Sequence, residues 1–138
     1  MEYMAVCSNY RNLGLGRKLF LRTFQAVCNC GTVLCLIEID SDREESADHE
    51  FRKRRQQFYM RLGCRRMDEL SYILPLQGED PPPQMDLMVY LPDRQPLIRR
   101  HELEHWLKVI YNKVYDCSPE DPRIADMMEA IGDPVKLV

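Results

Sequence analysis

The sequence lacks several features that mark particular classes of protein. No uninterrupted apolar run approaches the length of a membrane span, and the first residues show no basic start followed by an apolar core. The six cysteines include no CxxC pair, so a zinc knuckle is not indicated. A net charge of −3 lacks the basic surplus typical of nucleic-acid binders. We therefore expect a cytoplasmic protein with reduced cysteines, and neither a membrane nor a nucleic acid among its partners.

Charged residues are segregated along the chain. Residues 38–50 carry seven acids and one base, whereas residues 52–66 carry seven bases and no acid. Acids before a helix and bases along it suit the helix dipole. We expect most of the basic residues to lie on a solvated helix face rather than to form a nucleic-acid patch. The acidic stretch either attracts a cationic ligand or simply keeps the chain soluble.

Hydrophobic patterning predicts an α/β fold that begins with a βαβ unit. Residues 1–7 and 32–39 are typical of strands, and residues 16–28 predict a one-sided helix between them. The second strand is almost continuously apolar, as in a strand that is covered on both faces. A helix that joins two such strands predicts a right-handed crossover. We therefore expect a mixed sheet with a parallel βαβ core.

A second helix is predicted over residues 50–62. Phe51, Phe58 and Leu62 would form one apolar stripe on it, and Gly63 would end it in a left-handed conformation. The stripe predicts that these three side chains pack against the core.

The second half of the chain predicts an antiparallel hairpin and two helices. Residues 66–76 and 85–91 would be the hairpin strands, joined by a proline-rich loop. One amphipathic helix is predicted over residues 99–115, and a shorter one follows near the C-terminus. We therefore divide the chain into a domain at residues 1–92 and a C-terminal helical extension at residues 93–138.

The strongest chemical signal is a glycine-rich turn between the first strand and the first helix. It reads Arg11-Asn12-Leu13-Gly14-Leu15-Gly16, and Arg17 and Lys18 follow it. Glycines let the backbone approach a ligand closely, and the N–H groups of a first helical turn attract anions. Neither the P-loop pattern nor the full three-glycine dinucleotide pattern is present. The turn therefore indicates a pyrophosphate site, although a purely structural tight turn has the same pattern.

Two motifs in register resemble the acetyl-CoA-binding part of GNAT-superfamily N-acetyltransferases. Residues 11–16 match the family signature Arg/Gln-x-x-Gly-x-Gly/Ala, which follows a strand that ends in Ala-Val, as residues 5–6 do. Residues 58–64 (FYMRLGC) are similar to the family's Phe-Tyr-x-x-x-Gly-Phe segment, with Cys64 in place of the second Phe. The resemblance implies a GNAT-like fold, acetyl-CoA as cosubstrate and no metal. It also implies acetyl transfer to a primary amine of a small molecule or peptide, by direct attack in a ternary complex. The acidic residues 40–50 would border the entrance for that amine, which could be a polyamine, an aminoglycoside or a lysine side chain.

The resemblance also implies roles for individual residues. The backbone of residues 4–6 would pair with the pantetheine arm and donate an N–H to the thioester oxygen. The cofactor-binding residues would be Met4, Ala5, Val6, Arg11, Asn12, Leu13, Gly14, Leu15, Gly16, Arg17 and Lys18. Tyr59 would protonate the departing thiolate, and Glu2 or Glu38 would accept a proton from the amine. On residue type alone, Tyr59 is more typical of a core aromatic, and Glu38 is also typical of a strand end bonded to a loop.

The resemblance begins part-way through the family's fold. GNAT domains normally open with three strands and two helices that form much of the acceptor-binding wall. We expect either a truncated chain, or a partner chain that supplies the missing part, or a non-catalytic CoA-binding or protein-interaction module. A first strand without a neighbour would be an exposed edge. We therefore also expect a homodimer, formed through that strand or through the C-terminal helices.

One motif points to a different chemistry. His101 and His105 belong to a His-Glu-x-x-His pattern, which on a helix can bind zinc. On a helical wheel both histidines lie opposite Leu103 and the apolar stripe. We expect them to point to solvent and to hold no metal.

Overall fold

A computed structural model of the chain describes residues 4–29, 34–43, 47–76, 82–90 and 97–138. These residues form a mixed α/β fold. Their helices are α1 (Leu15–Cys28), α2 (His49–Arg61), α3 (Arg100–Lys113) and α4 (Pro122–Met128). Their strands are β1 (Cys35–Asp40), β2 (Arg65–Arg66), β3 (Tyr72–Ile73) and β4 (Gln84–Tyr90). A short 3-10 turn occupies Ser8–Tyr10.

The described strands form one antiparallel sheet in the order β1–β4–β2, and β3 also pairs with β4. The antiparallel pairing predicted for the hairpin is thus confirmed, but its first strand, residues 66–76, is divided into β2 and β3. The end of the chain pairs with the backbone at the end of β2 and just after it. The Arg66 N–H donates to the Val138 carbonyl at 2.9 Å, and the Asp68 N–H donates to the Lys136 carbonyl at 3.0 Å.

The strand predicted over residues 1–7 is wrong where the structure describes it, because residues 4–7 have no strand conformation. Residues 1–3 lie outside the described residues. A strand needs a neighbour that shares its ladder of hydrogen bonds, and within the described part of the chain β1 pairs with β4 alone. The described residues therefore do not form the parallel pair of the predicted βαβ core, although α1 and β1 form close to their predicted positions.

Two buried clusters cover the two faces of the sheet. α1 and α2 pack on one face, where Phe20 and Tyr59 meet Met88 of β4. α3 and α4 pack on the other face, where Leu107 meets Leu87 of β4. Neighbouring residues of a strand point to opposite faces, so both faces of β4 are buried. This double cover explains why the sequence of β1 is nearly apolar throughout.

α2 follows the apolar stripe that the sequence indicates only in part. Phe58 and Leu62 are half-buried and pack against the core on this face of the sheet, as predicted. Phe51 is 62% exposed and lines a cleft instead, and Gln56 and Tyr59 are the fully buried residues of the helix. The helix ends as predicted, with Gly63 at a φ of +97°.

Candidate functional site

A cleft of about 600 Å³ opens where the start of α1 faces β1 and one side of α2. This volume lies within the range of about 300 to 1,000 Å³ that is typical of small-molecule sites. Residues 4–6, the loop before α1, the middle of β1 and the length of α2 all contribute to its lining. The fold therefore gathers four separate segments around one concave surface.

The loop before α1 has the conformation that an anion site requires. Asn12 and Gly14 adopt left-handed φ values of +63° and +73°. Gly14 caps α1, and its carbonyl accepts the first helical bond from the Lys18 N–H at 3.1 Å. The N–H groups of residues 15–17 precede this bond and have no acceptor within the helix. Because these residues line the cleft, their N–H groups can bind an anion there.

The two glycines of the loop serve different purposes. A β-carbon on Gly16 would lie 3.3 Å from Cζ of Phe58 and 3.8 Å from Cγ2 of Val6. A larger residue at this position would push α1 away from α2. A β-carbon on Gly14 would meet nothing within 4 Å, so this position needs glycine for its positive φ alone. Gly16 is thus a packing requirement and Gly14 a conformational one.

Positive charge predominates along the cleft. The basic lining residues are Arg11, Arg17, Arg54 and Arg55, and Glu38 is the one carboxylate among the described lining residues. Arg55 forms an ion pair with Asp40 at the end of β1. The Arg11 Nε–H donates to the Val6 carbonyl at 3.2 Å and ties the loop to residues 4–6. The remaining charge favours an anionic ligand at the α1 end of the cleft.

Tyr59 belongs to the core and to the cleft at once. It is 5% exposed, and its ring packs edge-to-face on Phe20 and Phe58, with centroids 5.8 Å and 5.2 Å away. Burial raises the pKa of the Tyr59 hydroxyl, and the charge of Arg55 partly opposes this. The hydroxyl therefore keeps its proton at neutral pH. A buried, protonated hydroxyl that borders a cleft can act as a proton donor.

Glu38 also borders the cleft, and its carboxylate is not left without partners. The Tyr72 hydroxyl donates to Oε1, and the Tyr115 hydroxyl donates to Oε2 at 2.8 Å. Tyr72 lies in β3, and Tyr115 lies in the turn just beyond α3. Donors on both oxygens fix the orientation of this carboxylate.

The cleft gathers most of the residues that the sequence singled out. Its lining includes Met4, Ala5, Val6, Arg11, Asn12, Gly14, Leu15, Gly16 and Arg17, and also Glu38 and Tyr59. Leu13 and Lys18 are not among the lining residues, and Glu2 lies outside the described residues. The structure thus gives the locations of these residues, and their chemical roles remain predictions.

Several lining residues were not found from the sequence. Tyr10, Phe51 and Arg54 border the cleft. For Phe51 and Arg54, the sequence did contain a signal. Phe51 belongs to an apolar stripe interrupted by arginines, which is as typical of a ligand-facing surface as of a core-facing one. No such signal could reveal Tyr72 and Tyr115, because they lie 34 and 77 residues from the carboxylate that they contact.

The alternative metal motif does not form a site in the described residues. His101 and His105 are both exposed on α3, opposite the buried Leu103, as the helical wheel predicts. Across the described residues, no three or more potential metal ligands come together. The described helices also include none with the length and apolar character needed to cross a membrane.

Comparisons with protein-family models, curated proteins and solved structures found no match to this chain. Any functional interpretation must therefore come from the geometry of the cleft and from the motifs that line it.

Proposed function

We propose that the chain binds acetyl-CoA in this cleft and transfers the acetyl group to a primary amine by direct attack in a ternary complex. The observation that carries the proposal is the convergence of three distant features on one cleft. The glycine loop at residues 11–16, Glu38 of β1 and Tyr59 of α2 all line it. These are the features that the resemblance to GNAT-superfamily N-acetyltransferases requires to lie together.

The distribution of charge supports the same assignment. Arg11 and Arg17 lie with the free N–H groups at the start of α1, and Arg54 lies across the cleft on α2. Pyrophosphate would bind at this basic end. Glu38 marks a second region of the same lining, where a protonated amine would be attracted. The cleft therefore suits a ligand that is anionic at one end and an acceptor that is cationic at the other.

The proposed reaction can be followed atom by atom. The ammonium group of the acceptor gives a proton to Glu38, directly or through water, and the free amine attacks the thioester carbonyl. A backbone N–H of residues 4–6 would donate to the developing oxyanion. The carbon–sulfur bond then breaks, and the thiolate takes the proton of the Tyr59 hydroxyl. The nitrogen sheds its second proton to the tyrosinate, and Glu38 releases its proton to the solvent, which restores the enzyme.

The proposal extends to the arrangement of the sheet. Residues 4–6 would align in parallel with β1, as in a GNAT-like sheet, with the pantetheine arm between them. The C–S bond would then lie near Glu38 and Tyr59. A cytoplasmic location and a homodimer belong to the same proposal.

A non-catalytic CoA-binding or interaction module is the second candidate, and one observation favours it. Several apolar side chains that line the cleft are exposed, including Tyr10 at 58%, Leu15 at 39% and Phe51 at 62%. Exposed apolar groups that cluster on one surface mark interaction sites. A partner segment that covers this rim would explain them without any chemistry.

The deciding experiment measures acetyl-CoA binding by calorimetry and thiol release with spermidine, kanamycin and a lysine-containing peptide as acceptors. We expect Tyr59→Phe to bind acetyl-CoA as the unmodified chain does, and to lose about a hundredfold or more in kcat. Tyr90→Phe is the matched control, because Tyr90 is buried in the same cluster but does not line the cleft. It should keep its kcat.

Three results would contradict the proposed catalytic function. Absence of binding at millimolar acetyl-CoA would mean that the cleft is not a cofactor site. Binding without thiol release for any acceptor would favour the non-catalytic module. Equal losses of kcat in Tyr59→Phe and Tyr90→Phe would show that the effect is structural.

A further inference from the structure

The Glu38 carboxylate is held at both oxygens by hydroxyl groups from separate parts of the chain. Tyr72 donates from β3 to Oε1, and Tyr115 donates from just beyond α3 to Oε2 at 2.8 Å. Two donors on different oxygens fix the plane of a carboxylate as well as its position. The orientation of Glu38 is therefore set by elements that do not belong to its own strand.

α3 holds both donors in place. Tyr72 is 3% exposed, and burial raises its pKa, with the bond to Glu38 as the next cause, so its hydroxyl stays a donor at neutral pH. Behind it, the Tyr111 hydroxyl of α3 donates to the Ile73 carbonyl of β3 at 2.6 Å. This bond fastens β3 to α3. Tyr115 follows α3 directly, so the helix carries one donor and anchors the other.

The other charged and titratable groups near Glu38 make different contacts. Asp40, two residues along β1, pairs with Arg55 of α2. Arg55 lines the same cleft as Glu38. Burial and, to a smaller extent, the charge of Glu38 raise the pKa of Tyr111 in α3, but the Tyr111 hydroxyl donates to a backbone carbonyl. Among the described residues, the hydrogen bonds to the Glu38 carboxylate come from Tyr72 and Tyr115.

We propose that Tyr72 and Tyr115 are positioning residues for acyl transfer, which hold the Glu38 carboxylate in the orientation to accept a proton from the amine. The inference rests on the proposed function and makes the segment after α3 part of the site. Neither tyrosine is among the described lining residues of the cleft, so each acts through Glu38 and not on the substrate. Loss of either donor favours the protonated carboxyl.

The first test compares the pH dependence of kcat/KM for Tyr115→Phe and the unmodified chain, with thiol release from acetyl-CoA and spermidine as the assay. We expect the acid limb to move up by about one to two pH units, because a hydrogen bond to a charged group is lost. The Kd for acetyl-CoA should not change. Tyr90→Phe is the matched control, because Tyr90 is also a buried tyrosine but belongs to the cluster on the other face of the sheet. It should lower stability and leave the acid limb in place.

A second readout does not depend on turnover. Carbon-13 NMR of side-chain-labelled glutamate follows the titration of the Glu38 carboxyl, identified as the signal that Glu38→Gln removes. Its midpoint should rise in Tyr115→Phe and in Tyr72→Phe, and should stay unchanged in Tyr90→Phe. Coincident midpoints in all variants would overturn the inference, whether or not acetyl transfer is detected. Displaced midpoints in a chain that binds no acetyl-CoA would instead overturn the proposed function and, with it, the catalytic part of the inference.

Discussion

Substitutions at Gly14 should separate backbone strain from charge at the start of α1. The φ of Gly14 is +73°, and an added β-carbon would meet nothing within 4 Å. Gly14→Ala therefore introduces left-handed strain without a clash and should cost about 1 to 2 kcal/mol of stability. Gly14→Glu introduces the same strain and also places a carboxylate beside the proposed pyrophosphate.

The effect of that carboxylate follows from Coulomb's law. Two like charges about 4 Å apart repel by about 1 kcal/mol in bulk water and by about 4 kcal/mol near a protein surface. A loss of 1.4 kcal/mol is about tenfold in Kd, so even about 1 kcal/mol is about fivefold. We expect Gly14→Glu to bind acetyl-CoA at least about fivefold more weakly than Gly14→Ala. The difference should shrink at high salt, because salt screens exposed charges.

Calorimetry gives the Kd values, and urea unfolding gives the stabilities. Gly63→Ala is the control for strain, since Gly63 has a φ of +97°, lies outside the lining of the cleft and has only an ordinary 3.6 Å neighbour in Tyr90. It should lose a comparable amount of stability and keep the Kd of the unmodified chain. Equal Kd values for Gly14→Ala and Gly14→Glu would refute the assignment of this loop to a phosphate.

Two further predictions concern stability. Leu107 is fully buried between α3 and the sheet, so Leu107→Ala should lower the free energy of unfolding by about 2 to 5 kcal/mol in a single urea transition. Val109→Ala, at a 44% exposed position of the same helix, should change the free energy of unfolding by less than about 0.5 kcal/mol. Two separate urea transitions would contradict the expectation that α3 and the sheet unfold together. Asp86 is 1% exposed, and burial raises the pKa of its carboxyl, although Arg43 at 3.8 Å and Arg66 at 3.9 Å oppose this. Its stabilising contribution is therefore full below the unfolded pKa of about 3.9 and falls as the pH rises through the folded value. Asp86→Asn should flatten this decline when urea midpoints are compared above about pH 4, and parallel curves for the two chains would contradict the reasoning.

The helices were the predictable part of the fold, because their signals are local. The predicted helix at residues 16–28 corresponds to Leu15–Cys28, and that at residues 50–62 corresponds to His49–Arg61. Apolar spacing and a terminal glycine suffice for such boundaries. Which side of α2 becomes buried is not local, since it depends on what packs there. The apolar stripe of this helix therefore did not reveal that Gln56 and Tyr59 are its fully buried residues.

Strand pairing was harder to predict because a strand is defined by its neighbours. Residues 4–7 have the composition of a strand but no strand conformation, and the predicted strand at residues 66–76 forms as two short strands, β2 and β3. The candidate site likewise has a part that is local in sequence and a part that is not. The loop at residues 11–16 is contiguous and could be found as a motif. The tyrosines that hold Glu38 come from distant segments, and only the folded chain brings them together.

The two proposed routes to a homodimer have opposite consequences for the cleft. Residues 4–6 of the first predicted strand line it, together with Glu38 and Ile39 of β1, and the pantetheine arm is proposed to lie between these two segments. A second copy that inserted a strand between them would occupy the place of that arm, so this route and cofactor binding would compete. Dimerisation through α3 would leave the cleft free, and Val109 and Val114, 44% and 51% exposed, give this part of the chain an apolar surface. We therefore expect an active dimer to form through the helices.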